Sequence, residues 1–144
     1  MIIEKTMISV LSAGETHDIV IEDVVSLFQS GEEIKILSYD KKIMESIVAN
    51  TRTSSSKHFV YIQTDTETPL VITPDSKIYD PETKEWIRAE HVNKNNHVLH
   101  ADRSRQRVVD VHLIRDKNIS KTYTLTVNPT QCYFANNILI HNER

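Results

Sequence analysis

The strongest constraint on this fold is a succession of short segments in which apolar and polar residues alternate. Residues 6–11, 18–21, 33–39, 43–50, 58–64, 69–73, 97–101, 108–116 and 121–127 all carry this pattern. A period of two builds strands with one buried face. Turn-forming residues separate the segments: Ala13-Gly14, Asp40-Lys41-Lys42, Asp80-Pro81-Glu82, Asn93 to Asn96 and Asn128-Pro129. Only residues 22–28 break the rhythm, with helically spaced Val24, Val25, Leu27 and Phe28 behind the acidic Glu22 and Asp23, and with Gly31 as the stop. Many short strands and little helix predict an all-β barrel or sandwich-like domain. The polar run 51–57 reads as a surface loop between two strands. With only two glycines, positive-φ positions fall to Asn, notably Asn136-Asn137 in a terminal hairpin over 128–141.

At 144 residues the chain is long enough for one domain with a core of its own. The formal net charge of −3, with no Lys/Arg stripe, argues against a nucleic-acid partner. Apolar runs are too short to span a membrane, and the Met1 end lacks the layout of a signal peptide. The single cysteine, Cys132, excludes an intrachain disulfide and reads as a buried, inert thiol on a strand. The seven histidines are scattered without metal-ligand spacing, so no metal and no cofactor is expected.

The last residues carry the chemistry. Tyr133-Phe134-Ala135-Asn136-Asn137-Ile138-Leu139-Ile140 leads into His141-Asn142, and Glu143 and Arg144 follow. An asparagine can cut its own backbone: its side-chain nitrogen attacks its main-chain carbonyl, closes a succinimide and expels the next amine. A neighbouring imidazole suits proton delivery to that amine. A His-Asn pair alone would be a solvated tail. A tail, however, would not need the apolar, β-rich run that precedes this one.

Three separated stretches complete the reading. The first is Met1 to Ile8, with Thr6 and Ile8, followed by Gly14, Ile19, Asp23 and Val24. The second is Pro69-Leu70-Val71-Ile72-Thr73-Pro74-Asp75-Ser76, trailed by Trp86-Ile87-Arg88-Ala89. The third is Thr122 to Val127, then Tyr133 to Asn136, ending at His141-Asn142. In this order they resemble the Hint superfamily, which comprises inteins, bacterial intein-like domains and hedgehog autoprocessing domains. The resemblance covers nearly the whole chain. It implies an all-β, horseshoe-type Hint fold with one or two short helices, over residues 1–142, with 143–144 a remnant of the downstream flank. The segment 77–120 leaves no room for a homing endonuclease domain of roughly 100 residues.

The resemblance also assigns roles. Asn142 would cyclise and break the Asn142–Glu143 bond, with His141 assisting, while Thr73 and Ser76 would serve the upstream junction at Met1. Thr73 alone would read as a strand-end residue opening a Pro-Asp turn, and Ser76 is open between the two readings. Departures from the family pattern are specific. Met1 replaces the family's Cys or Ser, and a thioether has no proton to lose, so the N-terminal acyl shift is disabled. Ser76 replaces a His, and a hydroxyl is no proton reservoir near neutral pH. Thr124 replaces an Asp and Gln131 a His; with His112 they are assigned to the surroundings of the site. Glu143 stands where splicing inteins carry Cys, Ser or Thr. This pattern points to a bacterial intein-like domain, monomeric, whose partners are the flanking segments of its own host polypeptide. Its retained chemistry is C-terminal cleavage. His17, His58, His91, His97 and His100 read as surface or strand-face residues, and Trp86 as core. The alternative reading is a catalytically degenerate β-rich binding or structural module.

Overall fold

The computed structural model describes residues 1–66 and 68–141. Thirteen strands and one α-helix run in chain order: β1 (Ile2–Ile3), β2 (Met7–Ser12), β3 (Glu15–Val20), α1 (Ile21–Gln29), β4 (Lys35–Tyr39), β5 (Ile43–Gln63), β6 (Leu70–Ile72), β7 (Lys77–Asp80), β8 (Glu85–Arg88), β9 (His97–Leu99), β10 (Arg105–Arg107), β11 (Asp110–Asn128), β12 (Cys132–Ala135) and β13 (Ile138–His141). A 3₁₀ turn spans Ala89–His91. The all-β expectation holds.

The main sheet runs β11-β1-β6-β5-β4-β2-β12-β13-β7-β8, with β3 beside β2, and β11 also pairs with β5. The first residues are therefore interior to the sheet: Ile2 sits opposite both Tyr123 and Ile72 and is fully buried. Thr6 turns the chain after β1, its hydroxyl donating to the Ile3 carbonyl at 2.7 Å.

Two-residue turns appear where the sequence places them. Ala13 (φ 51) and Gly14 (φ 78) join β2 to β3, and Asn136 (φ 46) and Asn137 (φ 66) join β12 to β13. Both left-handed pairs match the twist of a hairpin. Asn is only one solution, since Lys5, Lys41, Lys84, Arg103 and Gln131 also adopt positive φ. Helix α1 buries Ile21, Val24 and Val25. It closes with Gly31 N–H donating to the Phe28 carbonyl and Glu32 N–H to the Leu27 carbonyl, the paired bonds of a Schellman stop around a left-handed glycine.

The long strands correct the sequence reading. Residues 51–57, expected as a loop, continue β5, with Thr51 opposite Leu125 and Ser56 opposite Ser120. The two segments 108–116 and 121–127 likewise merge into β11, with a register shift between Arg115 and Ser120. Residues 51–57 and 109–121 are mostly solvent-facing, whereas 122–127 are mostly buried. Hydrogen bonding along the ladder holds the exposed parts in register, and Tyr123, Leu125 and Val127 add a buried apolar face at the end of β11.

Alternation in the terminal hairpin divides the core. Tyr133, Ala135, Ile138 and Ile140 join the large apolar cluster with Ile2, Ile72 and Ile78. Cys132, Phe134 and Leu139 join a smaller one with Leu37 and Leu99, bordered by Tyr39, Tyr79 and Trp86. At roughly 25 cal/mol per Å² of apolar burial, such double-sided packing makes this hairpin a rigid carrier for whatever follows it.

Candidate functional site

The site is built on the short segment that joins β6 to β7. Strand β6 ends at Ile72, and the N–H of the next residue, Thr73, donates to the Met1 carbonyl at 2.9 Å. The Met1 amine donates to the Thr73 hydroxyl at 2.8 Å and to the Ser76 hydroxyl. The two hydroxyls are themselves 2.8 Å apart. Both residues are buried. Ser76 N–H closes the Pro74-Asp75 turn on the Thr73 carbonyl at 3.1 Å. The 3₁₀ turn pins it from outside: Ala89 N–H donates to the Ser76 carbonyl at 2.7 Å and Glu90 N–H to the Pro74 carbonyl at 3.0 Å. This explains why a Trp-Ile-x-Ala stretch accompanies the Thr-Pro-Asp-Ser stretch, because it buttresses that turn.

The other chain extremity reaches the same segment. Strand β13 pairs antiparallel with β7, Ile140 opposite Ile78, so the chain at His141 heads back along β7 toward Ser76. His141 packs edge-on against Trp86, ring centroids 5.1 Å apart. Trp86, expected in the core, is half-buried: it packs on the border of the smaller core cluster and also flanks His141. Asn136 fixes the hairpin from its turn, accepting from Met7 N–H at 2.8 Å and donating to the Pro69 carbonyl at 2.8 Å. Asn142, Glu143 and the 143–144 flank lie outside the described residues.

Of the expected surrounding residues, Thr124 is buried and follows Tyr123, the ladder partner of Ile2. Gln131 lines a cleft with His141. His112 is not brought to the site: its ring stacks on Tyr61 at 4.7 Å and its Nδ1 lies 3.5 Å from Asp110. Strand pairing, which places His112 opposite Tyr61, decides this.

Two residues were given no role at the site from sequence, where Thr122 opened the third stretch and His58 read as a surface or strand-face residue. Thr122 donates to the Met1 sulfur at 3.5 Å, and His58 lines a cleft of about 430 Å³ with Met1, Thr73 and Asp75. Only the pairing of β1 with β11 and the continuity of β5 reveal them. Among the described residues no group of three or more His, Cys, Asp or Glu is placed to hold a metal.

Similarity to solved structures follows this geometry. The chain resembles a bacterial intein-like domain from Clostridium thermocellum, with a TM-score of 0.79 at 18% identity, over 98% of this chain and 97% of the other. It resembles a DnaB intein from Synechocystis sp. PCC 6803, with a TM-score of 0.80 at 17% identity, over 99% and 98%. It also resembles the TvoVMA intein, with a TM-score of 0.82 at 19% identity, over 99% and 97%. The sequence matches no protein-family profile and no curated protein. The fold is therefore the Hint-type intein fold.

Proposed function

We propose that this chain is a self-processing intein-like domain whose substrate is its own polypeptide and whose retained reaction is cleavage after Asn142. In that reaction Asn142 Nδ2 attacks the Asn142 carbonyl carbon. The C–N bond to Glu143 breaks, a terminal succinimide forms, and a proton moves to the departing Glu143 amine. His141 is the donor. Asn142 belongs to the domain, and residues 143–144 represent the flank that leaves.

One observation carries this reading: Met1 is bonded to Thr73 and Ser76, and the strand ending at His141 pairs with β7 only two residues beyond Ser76. Both junctions of an intein-type domain would therefore share one small region. Holding the reacting groups there can supply several kcal/mol of the barrier, roughly 7–11 in the best intramolecular cases, and acid help from an imidazole roughly 10²–10⁴-fold.

At the upstream junction the nitrogen of residue 1 would be a peptide N–H with one proton. It can donate to only one of the two hydroxyls, and since accepting leaves a hydroxyl's own proton in place, one proton closes the Thr73–Ser76 bond and the other can be donated to the scissile carbonyl or the departing nitrogen. With Met1 in place, no acyl shift takes advantage of this. The same departures, Met1 and Ser76, favour the rival reading of a degenerate β-rich module.

Mass spectrometry of the incubated chain decides between them. A species ending in a succinimide at residue 142 and lacking Glu-Arg is expected, and Asn142→Ala abolishes it. Equal loss of the dipeptide from the alanine variant, or no loss at all from the parent chain, rules the mechanism out.

A further inference from the structure

The turns that join β4 to β5, β7 to β8 and β9 to β10 converge on one pocket of about 510 Å³. Lys41, Lys42, Lys84, Arg103 and Arg105 line it, and among the described residues no acid does. On a chain of net charge −3 this is a local reversal of sign. The acids of the same turns are engaged elsewhere. Asp80 accepts N–H bonds from Glu82, Thr83, Asn96 and His97. Asp102 accepts from Ser104 N–H and lies 3.1 Å from His100, and Asp40 lines the adjoining cleft instead. Glu82 reaches one of the cations, Arg105, at 3.3 Å. Among the described residues Lys41, Lys42, Lys84 and Arg103 make no ion pair.

The backbone makes this placement informative. Lys41, Lys84 and Arg103 have φ of 63°, 59° and 76°, a left-handed conformation that a β-carbon opposes and glycine adopts freely. Each turn is closed by a backbone bond: Asp40 N–H to the Lys42 carbonyl at 2.9 Å, Lys84 N–H to the Asp80 carbonyl at 2.8 Å and Arg103 N–H to the His100 carbonyl at 2.9 Å. Three separate hairpins thus carry a long basic side chain where turn geometry alone favours Gly or Asn, and the three meet at one pocket.

We propose that this pocket binds a compact polyphosphate, free or carried by a nucleotide. The volume is that of a small-molecule site. Cations converging from three turns suit negative charge concentrated in one place, whereas the carboxylates of an acidic peptide are strung out at up to ~3.6 Å per residue. Ammonium and guanidinium groups offer several N–H donors each to phosphate oxygens. Tyr39 and Tyr79, tilted by 44° at 5.8 Å, give the pocket an apolar side with Ile43 and Leu99 for a nucleotide's organic part. The proposal stands apart from cleavage after Asn142.

Titration calorimetry of the full chain with tripolyphosphate, ATP and adenosine, without divalent metal, tests it. Tripolyphosphate and ATP should bind and adenosine should not, and raising salt from about 0.05 to about 0.5 M should weaken binding about tenfold or more. ATP tighter by at least about fivefold assigns the nucleotide, through its ring contacts; a smaller difference assigns the free chain. No binding of either, or binding of poly-glutamate alone, overturns the proposal.

Glycine substitutions locate the site without straining the turns. Lys41→Gly with Lys84→Gly and Arg103→Gly should melt no lower than the parent and bind at least about tenfold more weakly. The single variants, at about threefold each, serve if the triple one does not fold. Lys5→Gly, at a left-handed position (φ 65) outside the pocket, should leave binding unchanged. Pocket variants that bind like the parent, or a Lys5 variant weakened as much as they are, overturn the proposal.

Discussion

Met1 and Thr73 are bonded in both directions, Thr73 N–H to the Met1 carbonyl at 2.9 Å and the Met1 amine to the Thr73 hydroxyl at 2.8 Å. The reciprocal pair extends the ladder in which Ile2 faces Ile72. The hydroxyl's position is thus set by strand register rather than by a mobile loop. A donor held by backbone pairing costs little reorganisation when charge develops beside it.

That rigidity gives the first prediction. When Met1→Cys is placed behind an upstream segment, thiol-sensitive cleavage before residue 1 should appear. Adding Thr73→Val should slow it by about 10²–10³-fold, the range for losing one preorganised donor, whereas Thr73→Ser should keep most of the rate. Single-turnover rates by gel densitometry check this. A valine variant within threefold of its parent would show that the hydroxyl takes no part.

Asp80 yields a prediction in pH. Its Oδ1 accepts from Glu82 N–H at 2.8 Å and Thr83 N–H at 3.4 Å, and its Oδ2 accepts from Asn96 Nδ2 at 3.0 Å and His97 N–H at 3.3 Å. Burial pushes its carboxyl upward, but the bonds from Asn96, Glu82, His97 and Thr83 outweigh it, leaving the group below the ordinary value of 3.8. A folded-state value below the unfolded one means stability that is fully present above the unfolded value and lost as pH falls through the folded one. Thermal melts should therefore be insensitive to this group from neutral pH to about 5 and fall in acid. Asp80→Asn should lose about 1.5–3 kcal/mol at pH 7 and show a weaker acid dependence. Parallel curves for the two proteins would contradict the assignment.

How far the sequence announced all this depends on where burial lies. The β12–β13 hairpin was legible because Asn136-Asn137 interrupts an apolar alternation, and the Gly31 stop of α1 was equally plain. The interior of β5 was not. Thr51 to Lys57 are polar on both faces, so no hydrophobic period marks them as strand, and only their partners in β11 do. The β7–β8 hairpin was missed because Lys77-Ile78-Tyr79-Asp80 and Glu85-Trp86-Ile87-Arg88 each set two adjacent apolar residues between polar ones, which is no alternation. At the site, motif resemblance brought forward Met1, Thr73 and Ser76, which the structure gathers. It had no means of placing His112, Thr122 or His58, whose positions depend on strand register. Trp86 does border the core as its type suggested, but residue type predicts burial on average, not which ring it will meet.

The two turn asparagines should respond oppositely to substitution. Asn137 has φ 66 and no described side-chain bond among the residues that fix the hairpin, so Asn137→Gly should be neutral within about 0.5 kcal/mol. Asn136→Gly keeps the conformation but loses the bonds to Met7 and Pro69. It should cost about 1–3 kcal/mol at about 0.5–1.5 per bond. Denaturant midpoints distinguish them, and equal effects would mean that the turn conformation alone matters.

Trp86 tests whether the carrier of His141 matters to its chemistry. The indole holds the imidazole edge-on at 5.1 Å and leans on Tyr79 at 5.2 Å, contacts worth about 0.5–1.5 kcal/mol each beyond area burial. Trp86→Phe retains a ring against His141, whereas Trp86→Ala removes that contact. In the proposed reaction a misplaced proton donor would lower the rate of amine expulsion without altering the attacking nitrogen. Cleavage after Asn142 should therefore fall about tenfold or more in the alanine variant and recover largely in Trp86→Phe. Melting temperature, measured on the same samples, separates positioning from stability. If both variants lose cleavage only in proportion to their melting temperature, the ring is a packing element and His141 owes its orientation to strand β13.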